Sequence, residues 1–295
     1  MKKSVCALGF FDGVHKAHTE LLSECVAYAK EHNLKSVALT FEKSPLEYFG
    51  KKIKYLTTLG QKKELMHNLG IDDVHVLNCD GETLSLSCEE FIDSILVDKL
   101  NACAVFCGFN YTFGKNAQGD SNVLKKLCKE RNIEVFVIPC MNDGNITVSS
   151  SEIRNALSKG DVEAANKLLN RPFEVKGVVQ EGKKLGRLLN FPTANIYPDN
   201  LPDLPYGVYA TKTTIDNMEY ISVTNIGVNP TVNDNNLRIE TFIKGFSGDI
   251  YQKEIKITFY KFLRAETKFS SVEELKNQIA SDCENTTDYF KGLHE

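Results

Sequence analysis

The chain has 295 residues, 42% hydrophobic and 25% charged, proportions that exclude wholesale disorder and a fibrous fold and, at roughly 100–200 residues per domain, predict two domains. A net charge of −4 and the lack of any long basic run exclude a surface built to track nucleic-acid phosphates, though not a local anion site. No apolar stretch approaches the ~20 residues that span a bilayer. The start, MKKSVCALGFFDG, meets Asp12 too early for a leader segment and has no small-residue cleavage site. The sequence therefore predicts a cytoplasmic protein.

From residue 1 to about 140, apolar strand-like runs alternate with helical stretches: VCALGFF, TELLSECVAYAKEH, SVALTFE, QKKELMHNLG, DVHVLN, SCEEFIDSILVDKL, ACAVFCGF, NVLKKLCKERN and EVFVIP. That succession predicts a parallel sheet covered by helices on both faces, with ligands beyond the carboxyl ends of the strands. After SSEIRNALSKGDVEAANKLLN the pattern changes to short β-rich runs separated by Gly, Asn and Pro, namely VKGVVQ, GVYATKTTI, YISVTNIGV, LRIETFIKGF and EIKITFYKFLR. These predict an antiparallel sheet or small barrel. A last helix is expected in SVEELKNQIASDCENTTDYF, where Ser271 followed three residues later by Glu274 forms a capping-box pattern. The division is expected near residues 170–172, giving segments 1–169 and 170–295. Nine cysteines, an odd number without a CxxC pair, predict reduced thiols, with Cys103 and Cys107 acting as small hydrophobes in a strand.

Two places carry chemistry. In FDGVHKAHTELL, Gly13 allows a tight turn and a helix is expected to begin between His15 and Thr19. A helix start presents unpaired N–H groups that attract phosphate. His15 and His18, three apart, lie on nearly one face and could reach the same phosphate. Taken alone, the pair also fits a capped surface helix with solvated histidines, or two metal ligands with a third elsewhere. In GVVQEGKKLGRLLNFPTANI, a strand leads into a loop with Gly182, Gly186, Lys183, Lys184 and Arg187, then Pro192, Thr193, Ala194 and Asn195. The Thr193 hydroxyl and Asn195 amide oxygen are hard ligands suited to Mg²⁺; the plain alternative is a proline turn. Strand alternation in LRIETFIKGF places Arg238, Glu240 and Phe242 on one face and Ile239, Thr241 and Ile243 on the other.

Through these motifs the sequence resembles the bacterial bifunctional riboflavin kinase/FAD synthetase family along nearly its whole length. FDGVHKAH resembles the HxGH signature of its nucleotidyltransferase half, with Ala17 in place of the glycine. ALTFEKSPLEYF, YLTTLGQKKELMHNLGID, CGFNYTFGKNAQGD and TVSSSEIRNAL resemble further landmarks in the right order. The resemblance implies an N-terminal Rossmann-like nucleotidyltransferase domain and a C-terminal riboflavin kinase-like β-barrel with a terminal helix. It assigns Gly9, Phe10, Asp12, His15, His18, Ser149, Ser150 and Arg154 to ATP and its phosphates, and Asn110 and Phe113 to flavin. In the kinase half, PTAN, NIGVNPTV followed by RIET, and GVYATKT carry the likeness. There it implies Gly182, Lys183, Gly186 and Arg187 at phosphate, Thr193 and Asn195 at Mg²⁺, Glu240 as the base, and Arg264 at flavin or bracing the barrel. Asn170 and Asn190 stand where glycine is common, and asparagine tolerates positive φ. Phe242 stands where the family often has histidine. The implied partners are the small molecules riboflavin, FMN and ATP, with no nucleic acid or membrane. Three other readings share these residues: a kinase with a decayed N-terminal domain, a flavin-binding regulator without turnover, and a nucleotidyltransferase for another phosphorylated cofactor.

Overall fold

The computed structural model describes residues 2–182, 186, 191–198, 201–228 and 237–292. It divides into two compact units, residues 1–150 and 151–295. The expected division at 169/170 differs from that boundary because the helix preceding it folds onto strands of the second unit. In that helix Asn166 donates to the Phe259 carbonyl (2.9 Å) and accepts from the Phe173 N–H (2.7 Å).

In the first unit, β1 (Ser4–Leu8), β2 (Lys35–Phe41), β3 (Asp73–Leu77), β4 (Ala102–Gly108) and β5 (Glu134–Ile138) form a parallel sheet in the order β3-β2-β1-β4-β5. Two short strands, β6 (Asn142–Asp143) and β7 (Ile146–Thr147), pair separately as a hairpin. The strand order reverses between β1 and β4, and in sheets of this kind ligands bind beyond the carboxyl ends of the strands at that point. The core follows from the two-residue period of a strand. Cys6 and Leu8 face one side, against Phe91, Ile92, Leu96 and Leu124; Val5 and Ala7 face the other, against Leu22, Cys25 and Met66. The helices are α1 (Lys16–Glu31), α2 (Pro45–Tyr48), α3 (Leu59–Asn68), α4 (Gly81–Ser85), α5 (Cys88–Phe91) and α6 (Ser121–Lys129). α5 runs on through Ile92–Lys99 with π-type hydrogen bonding. α3 opens with a reciprocal capping box, Thr58 Oγ1 accepting from Gln61 N and Gln61 Oε1 from Thr58 N. Cys6, Cys25, Cys107 and Cys128 are buried, and burial pushes the Cys107 thiol up to about 11 and those of Cys6 and Cys128 to about 12, which makes them packing residues.

The second unit contains α8 (Val162–Leu169) and most of α7 (Ser150–Ser158). Asn170 caps α8 in the left-handed conformation (φ 58°), as the asparagine-for-glycine reading expects. Six strands follow: β8 (Phe173–Val178), β9 (Thr193–Ile196), β10 (Gly207–Ile215), β11 (Met218–Val228), β12 (Leu237–Ile243) and β13 (Glu254–Ala265). They form an antiparallel sheet in the order β8-β13-β10-β11-β12-β9. The sheet curls until its edges meet. Gln180, just past β8, donates its N–H to the Asn195 carbonyl in β9 (2.8 Å), and Gly177 lies so close to Ile196 that a Cβ there would sit 3.0 Å from it. Ile196, Ile239, Ile243 and Tyr209 fill the interior together with Thr211, Thr213, Ser222, Thr224 and Thr241, whose buried hydroxyls bond to one another at 2.7–3.5 Å. The terminal helix α9 (Val272–Gly292) packs on β10 and β11. Its N-terminus departs in one detail from a capping box: Ser271 accepts from Glu274 N as expected, but Glu274 reaches back to the N–H and hydroxyl of Ser270.

Candidate active sites

The first site lies where β1 ends. The chain leaves the sheet through Gly9, Phe10 and Phe11, turns over residues Asp12–Val14 and enters α1. Three residues of this turn have positive φ: Phe11 (56°), Gly13 (79°) and Val14 (38°). Glycine adopts this region freely, whereas a β-branched valine does so only where its surroundings over-determine it, a form of strain that gathers at functional sites. The surroundings are visible. The Asp12 carboxylate accepts from the N–H groups of Leu56 (2.9 Å) and Thr57 (3.3 Å), and Thr57 Oγ1 accepts from Gly13 N (3.1 Å). Ser150 donates its hydroxyl to the Asp12 carbonyl (2.8 Å).

His15 is the N-cap of α1, buried, and its Nδ1 accepts from the His18 N–H (3.4 Å). The two imidazoles stack with centroids 3.5 Å apart, as the three-residue spacing predicts, and Phe11 sits edge-on to His18. The helix start is thus less open than the sequence suggests, since His15 takes one of its N–H groups. Burial, then the neighbouring His15 and Lys62, hold the His18 ring well below the usual histidine range, so it is neutral at pH 7. Its Nδ1 is buried without a hydrogen-bond partner among the described residues.

Of the flavin-loop residues, Asn110 is exposed just past β4. Phe113 is not; it is buried in the core against Phe91 and Tyr111, paired through its backbone with Gly119. The exposed aromatic of this loop is Phe109, half accessible directly after β4. Ser149 and Arg154 are partly buried, Arg154 one helical turn beyond Ser150 in α7.

Lys62 escaped the sequence reading. It is a nearly fully buried lysine on α3 whose ammonium donates to the Phe10 carbonyl (2.9 Å), Thr40 Oγ1 (3.0 Å) and the Phe41 carbonyl (3.2 Å). Its only signal was a lysine in an ordinary helical QKKEL run, indistinguishable in sequence from a solvated neighbour.

The second site lies on the outer face of the barrel, and strand register builds it. Asn195 on β9 stands directly opposite Glu240 on β12, and Thr193 opposite Phe242; Glu240 in turn stands opposite Asn225 on β11. Arg238, Glu240 and Phe242 do share one face, with Arg238 bonding Glu240 (3.2 Å) and Phe242 packing against Phe191. Thr193 is exposed; Asn195 is 5% exposed, and its Oδ1 has no hydrogen-bond partner among the described residues. Gly182 lies flat on that side chain, so close that a Cβ would fall 2.7 Å from Asn195 Cγ. Gly186 is pressed against the Phe191 carbonyl and accepts from the Phe191 N–H (2.8 Å). Lys183, Lys184, Arg187 and Asn190 lie outside the described residues, as do residues 229–232 of the NIGVNPTV run. Arg264 belongs to the same cross-strand row as Glu240, three strands away through Asn225 and Val208, roughly 14 Å along the sheet. Its guanidinium makes a fork with the buried Asp282 of α9 (Nε–Oδ1 2.9 Å, Nη2–Oδ2 2.7 Å). Asn225 is a neighbour of Glu240 that strand alternation could have offered, since it shares the outward parity of β11 with Ile221 and Val223 while Ser222 and Thr224 point inward.

A parallel sheet whose strand order reverses beside stacked histidines at a helix start, together with a barrel carrying Thr193, Asn195 and Glu240 in register, is the architecture of a nucleotide-handling protein. Residues 1–152 match the family model described as FAD synthetase, and residues 169–290 the model described as riboflavin kinase. A bifunctional riboflavin kinase/FMN adenylyltransferase from Listeria monocytogenes is 37% identical, covering 99% of this chain and 94% of its own. The protein of the same description from Escherichia coli K12 is 32% identical, covering 98% and 93%. A crystal structure described as a macrolide-efflux protein from Streptococcus pneumoniae matches with TM-score 0.89 and 30% identity, over 97% of this chain and 94% of that one. The chain belongs to the bifunctional riboflavin kinase/FMN adenylyltransferase family. Among the described residues no helix is long and apolar enough to cross a membrane.

Proposed function

We propose that this chain makes FAD in two steps, phosphorylating riboflavin to FMN and adenylylating FMN, each at the expense of ATP, and that residues 1–169 and 170–295 are the corresponding functional segments. The observation that carries the reading is the direct cross-strand pairing of Asn195 with Glu240, with Thr193 on the same face two residues earlier.

In the kinase step a riboflavin hydroxyl attacks the γ-phosphorus of ATP and ADP leaves. An alcohol is a weak nucleophile until its proton is taken, and Glu240 takes it. Asn195 fits a Mg²⁺ ligand: its amide oxygen is buried and unpartnered among the described residues, and the missing side chain of Gly182 lets the backbone lie against that amide. Thr193 would supply the second oxygen. Magnesium bound there with ATP would neutralise phosphate charge. Gly182 and Gly186 allow backbone to approach the phosphates, and Lys183 and Arg187 are assigned to them on the family resemblance. Arg264, committed to Asp282, acts by holding α9 and the flavin side of the barrel in place.

In the adenylylation step an FMN phosphate oxygen attacks the α-phosphorus of ATP and pyrophosphate leaves. The nucleophile is already an anion, so alignment and hydrogen-bond donors carry the catalysis and no base is required. His15 and the neutral His18 donate to the phosphates, and the Gly9–Phe10 backbone lines the crevice. Asp12 and Ser150 hold the turn that presents them. Ser149 and Arg154 are assigned to phosphate, and Asn110 to flavin, on the resemblance; the burial of Phe113 gives it the duty of shaping its loop. The free thiols fit a cytoplasmic enzyme.

Incubating the purified chain with riboflavin, ATP and Mg²⁺ and separating the flavins over time should show FMN rising first and FAD following. FMN without FAD would remove the first site from the scheme; no conversion of riboflavin would remove the second.

A further inference from the structure

A lysine ammonium carries three protons and accepts nothing. At Lys62 all three are taken by neutral oxygens, two of them the carbonyls of Phe10 and Phe41 at the carboxyl ends of β1 and β2, the third the Thr40 hydroxyl, which itself donates to the Phe10 carbonyl (2.8 Å). The ammonium also lies 4.2 Å from the centroid of the Phe10 ring. Side chains of this kind are almost never fully buried without a paired charge, because an isolated ion loses its hydration. Here the charge stands behind the very turn that delivers His15 and His18, at the edge of the sheet where parallel α/β folds bind ligands. Asp12 supplies some opposing charge without bonding it directly, and an incoming polyanion would add to it.

We propose that Lys62 is a positioning residue of the adenylyl-transfer site, a fixed internal cation that ties the ends of β1 and β2 beneath the Phe10–Val14 turn and draws the triphosphate of ATP onto it. This rests on the adenylyl-transfer reading of the first unit. Of the other titratable groups around it, only Asp12 bears a charge opposed to that of Lys62. From the turn comes Asp12, whose carboxylate is held by backbone N–H groups; from α1 come His15, the helix cap, and His18, kept neutral; β2 contributes only a hydroxyl. Tyr55, beside Phe10, is pushed up to about 12 by burial and stays protonated. Burial lowers Lys62 to about 8, with Asp12 opposing the shift, so the cation is present at neutral pH and fades above it.

The test is steady-state FAD formation from FMN at fixed free Mg²⁺, between pH 6.5 and 9.5, with the full chain. For the unaltered protein the KM for ATP should rise about tenfold between pH 7 and 9 while kcat changes little, because the cation acts on the triphosphate in ground and transition states alike. Lys62→Met should show a KM for ATP about tenfold higher at pH 7, flat across the range, with riboflavin phosphorylation unchanged. A flat ATP KM in the unaltered protein would overturn the inference without reference to any variant, as would a Lys62→Met enzyme with normal KM. An unaltered protein that makes no FAD from FMN at any pH would instead remove the adenylyl-transfer reading, and this inference with it.

Discussion

The two sites solve the same problem, handling ATP beside a flavin, with different parts of the polypeptide. In the first unit the site is a turn: Asp12 and Thr57 pin a backbone that includes Val14 at positive φ, and a buried lysine sits under it. In the second unit it is a register: Thr193, Asn195 and Glu240 come together because β9 and β12 pair residue for residue. The chemistry explains the contrast. A phosphate nucleophile needs its partners aligned and its charge tolerated, which a strained turn at a helix start provides. A hydroxyl nucleophile needs a base at a fixed distance from the phosphate it attacks, and cross-strand neighbours, about 5 Å apart, are a rigid way to fix one.

The largest effect is expected at Glu240. Glu240→Gln keeps the shape and removes the proposed base, so FMN formation should fall by about 10²–10⁴, while FAD formation from supplied FMN, measured on the same preparation, persists. Equal loss of both would show that the sites are not separate. The complementary change, His15→Ala, removes the proposed phosphate donor and the cap of α1; FAD formation should fall by about 10²–10³ with riboflavin phosphorylation intact. An unchanged FAD rate would take His15 out of the mechanism.

Much of this was legible in the sequence because two-residue and helical periodicities carry it. The strand alternation that put Glu240 outward in LRIETFI is the one observed, and the three-residue spacing of His15 and His18 does stack their rings. What escaped was tertiary. No local pattern distinguishes Lys62, buried by the ends of two strands, from the neighbouring Lys63, and none says that Phe113 turns inward while Phe109 stays out. Which sheet receives α8 is likewise not written locally: its sequence is an amphipathic helix, and only packing decides where its apolar face goes.

Each unit also buries a titratable group. Arg264 and Asp282 form a part-buried fork, with Gln278 adding a third bond to the carboxylate. Arg264→Met would leave Asp282 buried and uncompensated, and the second unit should lose about 3 kcal/mol in denaturant unfolding; a loss under about 1 kcal/mol would make the fork dispensable. In the first unit the relevant group is His18. Its folded pKa lies well below the ordinary 6.5, so in acid the unfolded chain binds a proton that the folded one refuses. Stability from this source is complete above about pH 6.5 and is lost as pH falls below it toward the folded pKa. Thermal melts from pH 7.5 to 5 should show the decline, and His18→Gln should lessen it.

The smallest expected effect is at Ala17, the position where the family signature carries glycine. It occupies the second residue of α1, between two histidines whose stacked rings wall the helix end. If those rings and the turn define the phosphate site, the methyl group between them has little to obstruct. Ala17→Gly should then cost about 0.5–1 kcal/mol of stability through helix propensity and leave the ATP KM and the FAD rate within about threefold. A gain in FAD formation of tenfold or more would mean that the methyl crowds the nucleotide, and that the first site has been detuned relative to the second by one side chain.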